Sequence, residues 1–208
     1  MGRNVKPLTK RIRRIGDKFF LAGERPFSSK AVAIKRNYPP GQHGPKGHGR
    51  LSTFGLQLKE KQKAKLVYGI LEKQLNRYFK IALKYPGNTS ETLYQALELR
   101  LDSVVFLAGL AKSRPQARQF VGHGHIMVNG KKVNIPSYRV EKGEVISLSP
   151  KGKKAKIFEF IKEDLKNIQT PEWLALDKEK VEAKVLDLPT FGQNQLVNWQ
   201  AIVEFYSR

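Results

Sequence analysis

The chain has 208 residues, 39 of them Lys or Arg against 18 Asp or Glu, for a formal net charge of +21. A charge of that size opposes compaction by self-repulsion and calls for a polyanionic partner, nucleic acid first and a membrane surface second. With no apolar run long enough to span a bilayer, no apolar core behind the basic N-terminus and no cysteine, membrane insertion, secretion and thiolate metal sites are set aside.

From Met1 to Arg50 basic residues dominate, including Arg3, Arg11, Arg13, Arg14, Lys35 and Arg36, with Asp17 and Glu24 the only acids. Outside Phe19, Phe20 and Leu21 there is little to bury, which predicts an arm that orders on its partner. The run 38–50, YPPGQHGPKGHGR, reads as loop, because prolines restrict their predecessors and glycines open positive φ. Gly44 and Gly49 have the spacing of a phosphate-binding loop, but Arg50-Leu51 stand where Lys and Ser or Thr are required, and no strand precedes them, so ATP binding is rejected.

Between Ser52 and Tyr85, Val67, Ile70, Leu71, Leu75, Tyr78, Phe79 and Ala82 recur at helical spacing and predict one apolar stripe ending at Tyr85-Pro86-Gly87. Lys59, Lys61 and Lys63 occupy the remaining surface with few acids beside them, so phosphate contact is expected there. A further helix is expected from Ser90, with Leu93, Leu97 and Leu101 inward.

Leu99 to Leu148 reads as a complete module. Leu101, Val104, Val105, Leu107 and Ala108 form a helix face ended at Gly109, and Ser113-Arg114-Pro115-Gln116 has the form of a helix start with a capping box. Arg114 and Arg118 stand one turn apart on one face, while Ala117, Phe120 and Val121 turn inward. Gly122-His123-Gly124 ends that helix. Asn129-Gly130 then predicts a hairpin that sets Lys131 and Lys132 just after the turn, and Val145 to Leu148 closes the module as a strand. With Lys112 beside them these groups make a surface for structured RNA, read by shape and backbone.

Beyond the module, Lys151, Lys153, Lys154 and Lys156 form a basic loop, and Ile157, Phe160, Ile161, Leu165 and Ile168 predict an amphipathic helix closed by Thr170-Pro171. Trp173 and Leu174 are expected to pack. Two strand-like runs follow, Ala183 to Leu188 and Ala201 to Tyr206, the last expected to fold back onto a domain already formed. The histidine pairs His43/His48 and His123/His125 have no carboxylate cluster nearby, so no metal and no cofactor are expected.

Three motifs resemble those of the family of the fourth protein of the small ribosomal subunit, in its bacterial or organellar form, over nearly the whole chain. They are PGQHG at 40–44 with LSTFGLQLKEKQK at 51–63; RLD at 100–102 with SRPQARQ at 113–119, HGHIMVNG at 123–130 and NIPSY at 134–138; and PEWL at 171–174 with the ending IVEFYSR. The resemblance implies an α+β fold in which a helical first domain with a basic arm carries the RNA-binding module as an insertion and the C-terminal tail packs with the first domain. The expected boundaries are 1–50 for the arm and loop, 51–90 with 185–208 for the helical domain, and 91–184 for the module and following helix.

The function so implied is that of a structural, non-enzymatic component that binds a helix junction in the 5′ domain of small-subunit ribosomal RNA early in assembly. Family members also neighbour the fifth small-subunit protein, affect decoding accuracy and line the channel by which messenger RNA enters; some repress their own operon. The candidate RNA contacts are Arg3, Arg11, Arg13, Arg14, Lys35, Arg36, Gln42, His43, Arg50, Lys59, Lys61, Lys63, Lys112, Ser113, Arg114, Arg118, Gln119, His123, Lys131 and Lys132, with Lys46 and Arg50 for messenger RNA. A cytoplasmic or organelle-matrix ribosome is the expected location, with no membrane partner. Many relatives bind zinc through cysteines in the arm; Lys6 to Arg14 here has none. The segment 190–199 fits the family pattern loosely.

Two rivals remain. Pseudouridine synthases often carry this module and an Arg-Leu-Asp motif, but Leu99 precedes Arg100 here and an apolar helix follows Asp102, which reads better as a cap or ion-pair partner. A free RNA chaperone built from the module alone leaves the arm and the first and third motifs unexplained.

Overall fold

The computed structural model describes residues 8–16, 36, 38–47, 49–153, 165, 170–191 and 196–208. Arg3, Lys35, His48, most of the expected 157–168 helix and part of the 190–199 segment lie outside the described residues. In chain order the elements are α1 (Leu8–Ile15), a 3₁₀ turn (Gly44–Lys46), α2 (Thr53–Val67), α3 (Glu72–Ala82), α4 (Thr89–Glu98), α5 (Leu101–Leu107) and α6 (Arg114–Gly122). There follow β1 (Ile126–Val128), β2 (Lys131–Lys132), β3 (Val145–Leu148), the short α7 (Pro150–Lys153), β4 (Leu174–Asp177), β5 (Glu182–Val185) and α8 (Trp199–Tyr206). The fold is α+β, in two compact units: Met1–Leu93 with Gly192–Arg208, and Tyr94–Phe191.

In the first unit, Ser52 caps α2 by accepting the Gly55 N–H at 3.2 Å. The single helix expected over 52–85 is two helices. Gly69, at φ 62°, takes the left-handed conformation, and Ile70 N–H reaches back to the Lys65 carbonyl at 3.1 Å, the six-to-one bond that closes a helix on glycine. Helical spacing of Val67, Ile70 and Leu71 continues across the break, which is why the stripe looked unbroken. The next helix starts one residue ahead of the expected Ser90: the Asn88 side chain accepts the Ser90 N–H at 3.0 Å, so Asn88 is the cap.

The run 201–206, read as a strand, is helical. Asn198 caps α8 through the Ala201 N–H at 3.1 Å, and Trp199 and Ile202 are buried one turn apart. Its β-branched and aromatic residues favour strand, but among the described residues of this unit no strand is offered to them, whereas α2 and α3 present an apolar surface to a helix. Phe205 lies 5.4 Å from Phe54, Tyr206 stacks on Phe79 at 4.9 Å, and Trp199 meets Tyr68 at 5.8 Å. Gln57 Nε2 donates to Glu204 at 2.8 Å, and the Asn198 N–H donates to Glu60 at 2.8 Å. The tail is thereby joined to the helices of this unit.

The second unit is built on one antiparallel sheet, in the order β2-β1-β3-β5-β4. Asn129 and Gly130, at φ 47° and 76°, make the two-residue hairpin turn that their sequence predicts and pair Val128 with Lys131. β4 lies outside the expected strands: Leu174 to Asp177 is short, and the Asp177 carboxylate accepts the N–H groups of Glu179 and Lys180 to turn the chain into β5. The core contains Leu101, Val104, Val105, Phe120, Val121, Ile126, Ile146 and Trp173, all buried, each large aliphatic contributing about 1.5–3 kcal/mol.

Two loops set the helices of this core. The carbonyls of Tyr138 and Pro136 accept the first N–H groups of α5, from Leu101 at 2.8 Å and Asp102 at 3.2 Å, so the irregular 135–138 segment is a helix cap made of backbone. Gly109, at φ 75°, ends α5, with the Leu110 N–H on the Val105 carbonyl. Ser113 caps α6 through the Gln116 N–H, and Gln116 Oε1 reaches back to the Lys112 N–H at 2.8 Å.

Candidate nucleic-acid interface

In the first unit the basic residues divide into those engaged within the protein and those turned to solvent. Arg13 Nε donates to the Tyr38 carbonyl at 3.1 Å and its guanidinium lies 4.8 Å from the Tyr38 ring, which ties α1 to the 38–40 loop. Arg11, whose pKa burial lowers, lines with Arg14, Lys59, Ile15 and Leu58 an open cavity of about 600 Å³ beside α2. Lys61, expected on the RNA surface, is buried: its ammonium bonds Glu72 at 3.0 Å and sits 4.1 Å from the Phe205 ring centroid. Lys63 leans on Glu60 at 3.7 Å. Arg14, Arg36, Gln42, His43, Lys46 and Arg50 are exposed.

Glu72 collects a second lysine, Lys65 at 2.8 Å, and the Tyr206 hydroxyl at 2.8 Å. Burial pushes its carboxyl up, but the hydrogen bonds from Lys65, Lys61 and Tyr206 outweigh that and hold it at about 2.

In the second unit Arg114 and Arg118 do share one face of α6, as their spacing requires, but that face is turned towards α4 and α5. Arg114 approaches Glu98 at 3.5 Å and lies 4.6 Å from the centroid of the Phe106 ring. Arg118 Nη1 donates to Asp102 Oδ2 at 3.1 Å, and only 17% of its side chain is exposed. Asp102 is also gripped by Arg100, through Nε at 2.9 Å and Nη2 at 2.7 Å, with Arg100 itself 1% exposed. The Arg-Leu-Asp motif is thus an internal ion network, as the ion-pair reading of Asp102 expected, and its carboxylate is shut away from any substrate.

The exposed basic groups of the module lie elsewhere. Lys112 stands before α6, Gln119 and His123 at its outer and C-terminal positions, and Lys131 and Lys132 on the hairpin, all exposed. At the C-terminal end of α6 the packing is close. A Cβ added at Gly124 would collide with the Lys132 side chain, and one added at Gly152 would lie 2.8 Å from the His125 carbonyl oxygen. Ser149 fastens the corner, its hydroxyl donating to the Gly124 carbonyl at 3.1 Å and accepting the Gly152 N–H at 3.1 Å. His123 and His125 rings are 6.0 Å apart. Burial, then the charges of Lys151, His123 and Lys132, lowers the His125 pKa. His125 and Lys151 are not among the candidate contacts; the sequence signal for their approach is Gly152, next to Lys151, whose missing Cβ leaves room for the His125 carbonyl.

Among the described residues no group of His, Asp and Glu is arranged to hold a metal ion, and no helix is long and apolar enough to cross a membrane.

Comparison with known proteins gives a consistent result. The family described as "Ribosomal protein S4/S9 N-terminal domain" matches residues 3–98, and the family described as "S4 domain" matches residues 99–146. The chain is 48% identical over 209 residues to the Small ribosomal subunit protein uS4 of Halothermothrix orenii. It is 49% identical over 218 residues to the protein of that name from Aquifex aeolicus, and 49% over 212 residues to that of Persephonella marina. In each pair both chains are covered in full.

Proposed function

Since the chain belongs to the uS4 family of small ribosomal subunit proteins, we propose that it works as one: a structural, non-enzymatic constituent of the small subunit that binds its ribosomal RNA in the cytoplasm. The observation that carries this reading beyond family membership is the set of exposed Lys112, His123, Lys131 and Lys132 around one helix and one hairpin, in a chain of net charge +21. Such a surface recognises folded RNA through its backbone.

The finer role is early docking on a helix junction of the 5′ domain, where the protein helps order the RNA. The exposed Lys46 and Arg50, in the loop ahead of α2, are suited to messenger RNA at its point of entrance, and contact with the fifth small-subunit protein is the route to an effect on decoding accuracy. Chemical footprinting of small-subunit RNA with and without the protein tests the docking: protection concentrated at a 5′-domain junction is expected, and uniform protection along the RNA overturns it. Co-sedimentation with the subunit at moderate salt separates this reading from that of a free chaperone, which would stay in the unbound fraction.

A further inference from the structure

The two units differ in how far along the chain their contacts reach. Among the described residues the core of the second unit is built from Leu99 to Val185, and its strands meet others of the same stretch, β1 with β2 and β3, β5 with β3 and β4. The first unit is made from both sides of that stretch. Its α8 packs along α2 and reaches α3, with Gln57 and Glu204 147 residues apart, Glu60 and Asn198 138, and Glu72 and Tyr206 134. Closing a loop costs entropy that grows with its length, so these contacts are costly to form from the unfolded chain.

The face of α2 that α8 covers also offers little to an early collapse. Phe54, Gln57, Lys61 and Tyr68 recur along it at helical spacing, and two of the four are polar. Gln57 and Lys61 are nevertheless buried, one on Glu204 and the other between Glu72 and the Phe205 ring, so α8 completes a face that α2 and α3 leave open. The second unit shortens the distance to that completion. Its first and last residues meet: the Tyr94 and Phe191 ring centroids lie 5.7 Å apart, edge to face, and Gln95 Nε2 donates to the Pro189 carbonyl at 3.3 Å. With these ends joined, the loop left to close runs only from α3 to Tyr94 and from Phe191 to Asn198.

We propose that the second unit folds first and, by holding its ends together through Tyr94, Gln95 and Phe191, delivers α8 to α2 and α3, so that the first unit acquires its structure last. During synthesis the module is therefore formed while the first unit still awaits residues 198–206. Tyr94 and Phe191 are positioning residues for α8, a role independent of what the module binds.

Refolding of the full chain from urea tests the order, started from chains unfolded too briefly for their prolines to isomerise. In Trp199→Phe the remaining tryptophan, Trp173, reports the second unit; in Trp173→Phe, Trp199 reports the docking of α8. The Trp173 signal is expected to recover at least about tenfold faster than the Trp199 signal. Tyr94→Ala/Phe191→Ala is expected to slow the Trp199 phase at least about threefold and to leave the Trp173 phase unchanged. Pulse-labelling hydrogen exchange on the unaltered chain reads the same order without any substitution: amides of α5, α6 and β3 are expected to gain protection before those of α2 and α3.

Recovery of both tryptophans at one rate, or protection of α2 and α3 together with or ahead of α6, would overturn the order. An unaltered Trp199 phase in Tyr94→Ala/Phe191→Ala would overturn the role given to the joined ends. Equal slowing of the Trp173 phase in that variant would also overturn it, by placing the pair in the second unit's own folding step.

Discussion

Glu72 in the first unit and Asp102 in the second each hold two cationic side chains, yet they do different work. Glu72 bonds Lys61, Lys65 and the Tyr206 hydroxyl, and 44% of its side chain remains exposed. It lies at the edge of a helical unit, where it fastens the C-terminal helix to α2 and α3. Asp102 bonds Arg100 and Arg118 with only 6% of its side chain exposed, inside the module and two residues from its main partner. The difference is dielectric. A solvated carboxylate trades water for lysine at small gain, whereas a buried one depends on the completeness of its partners.

The largest effect is therefore expected from Arg100→Met, which leaves Asp102 buried without its bidentate partner. A loss of about 3–5 kcal/mol is expected, read by urea unfolding. The two tryptophans lie one in each unit, Trp173 in the second and Trp199 in the first, so fluorescence in a Trp199→Phe background reports the unit concerned. Adding Asp102→Leu to Arg100→Met is expected to recover part of the loss, because the buried carboxylate is then no longer stranded, while Arg118, 17% exposed, gives up its bond to Asp102. If the double variant is less stable than the single one, Asp102 is held by more than its charges.

A smaller effect belongs to Glu72, and it depends on pH. Its carboxyl is held at about 2, below the ordinary 4.5, so its stabilisation is complete above the ordinary value and is lost as pH falls towards 2. Followed by Trp199 fluorescence, Glu72→Gln is expected to flatten the acid limb of stability in that window and to leave the slope above pH 6 unchanged. The smallest effect is expected at Lys142 and Asp187, an ion pair at 2.9 Å in which both side chains are more than half exposed. Lys142→Ala is expected to leave the urea midpoint where it was, since solvent screens such a pair. A measurable loss there would blur the line between exposed and buried pairs on which the comparison rests.

Much of the architecture was legible locally. Asn129-Gly130 specified a hairpin, Gly109 a helix end and Ser113 a helix start, because each is a short-range constraint on backbone conformation that tertiary contacts have no reason to override. Gly69 is invisible to periodicity because apolar residues keep helical spacing on both sides of it, and periodicity does not register a turn that preserves phase. The Val, Phe and Tyr of the α8 run point to a strand, whereas Asn198, which caps the helix, points the other way. In the candidate interface, the spacing of Arg114 and Arg118 established a common face but not which way it turns. The same holds for Lys61, a lysine among lysines whose ammonium lies against Phe205 from the far end of the chain.

From the amino-acid sequence alone came the charge balance, the short-range turns and caps, and the family motifs, all properties of neighbouring residues or of totals. The tertiary structure alone decided which cations are spent inside the protein and which remain for a partner. Glu98 and Asp102 claim three arginines, Glu72 claims two lysines, and the corner at Gly124 holds Lys132 across the backbone. Charge pairing acts over a few ångströms through space, and residues distant in sequence meet at that range only after the chain has packed.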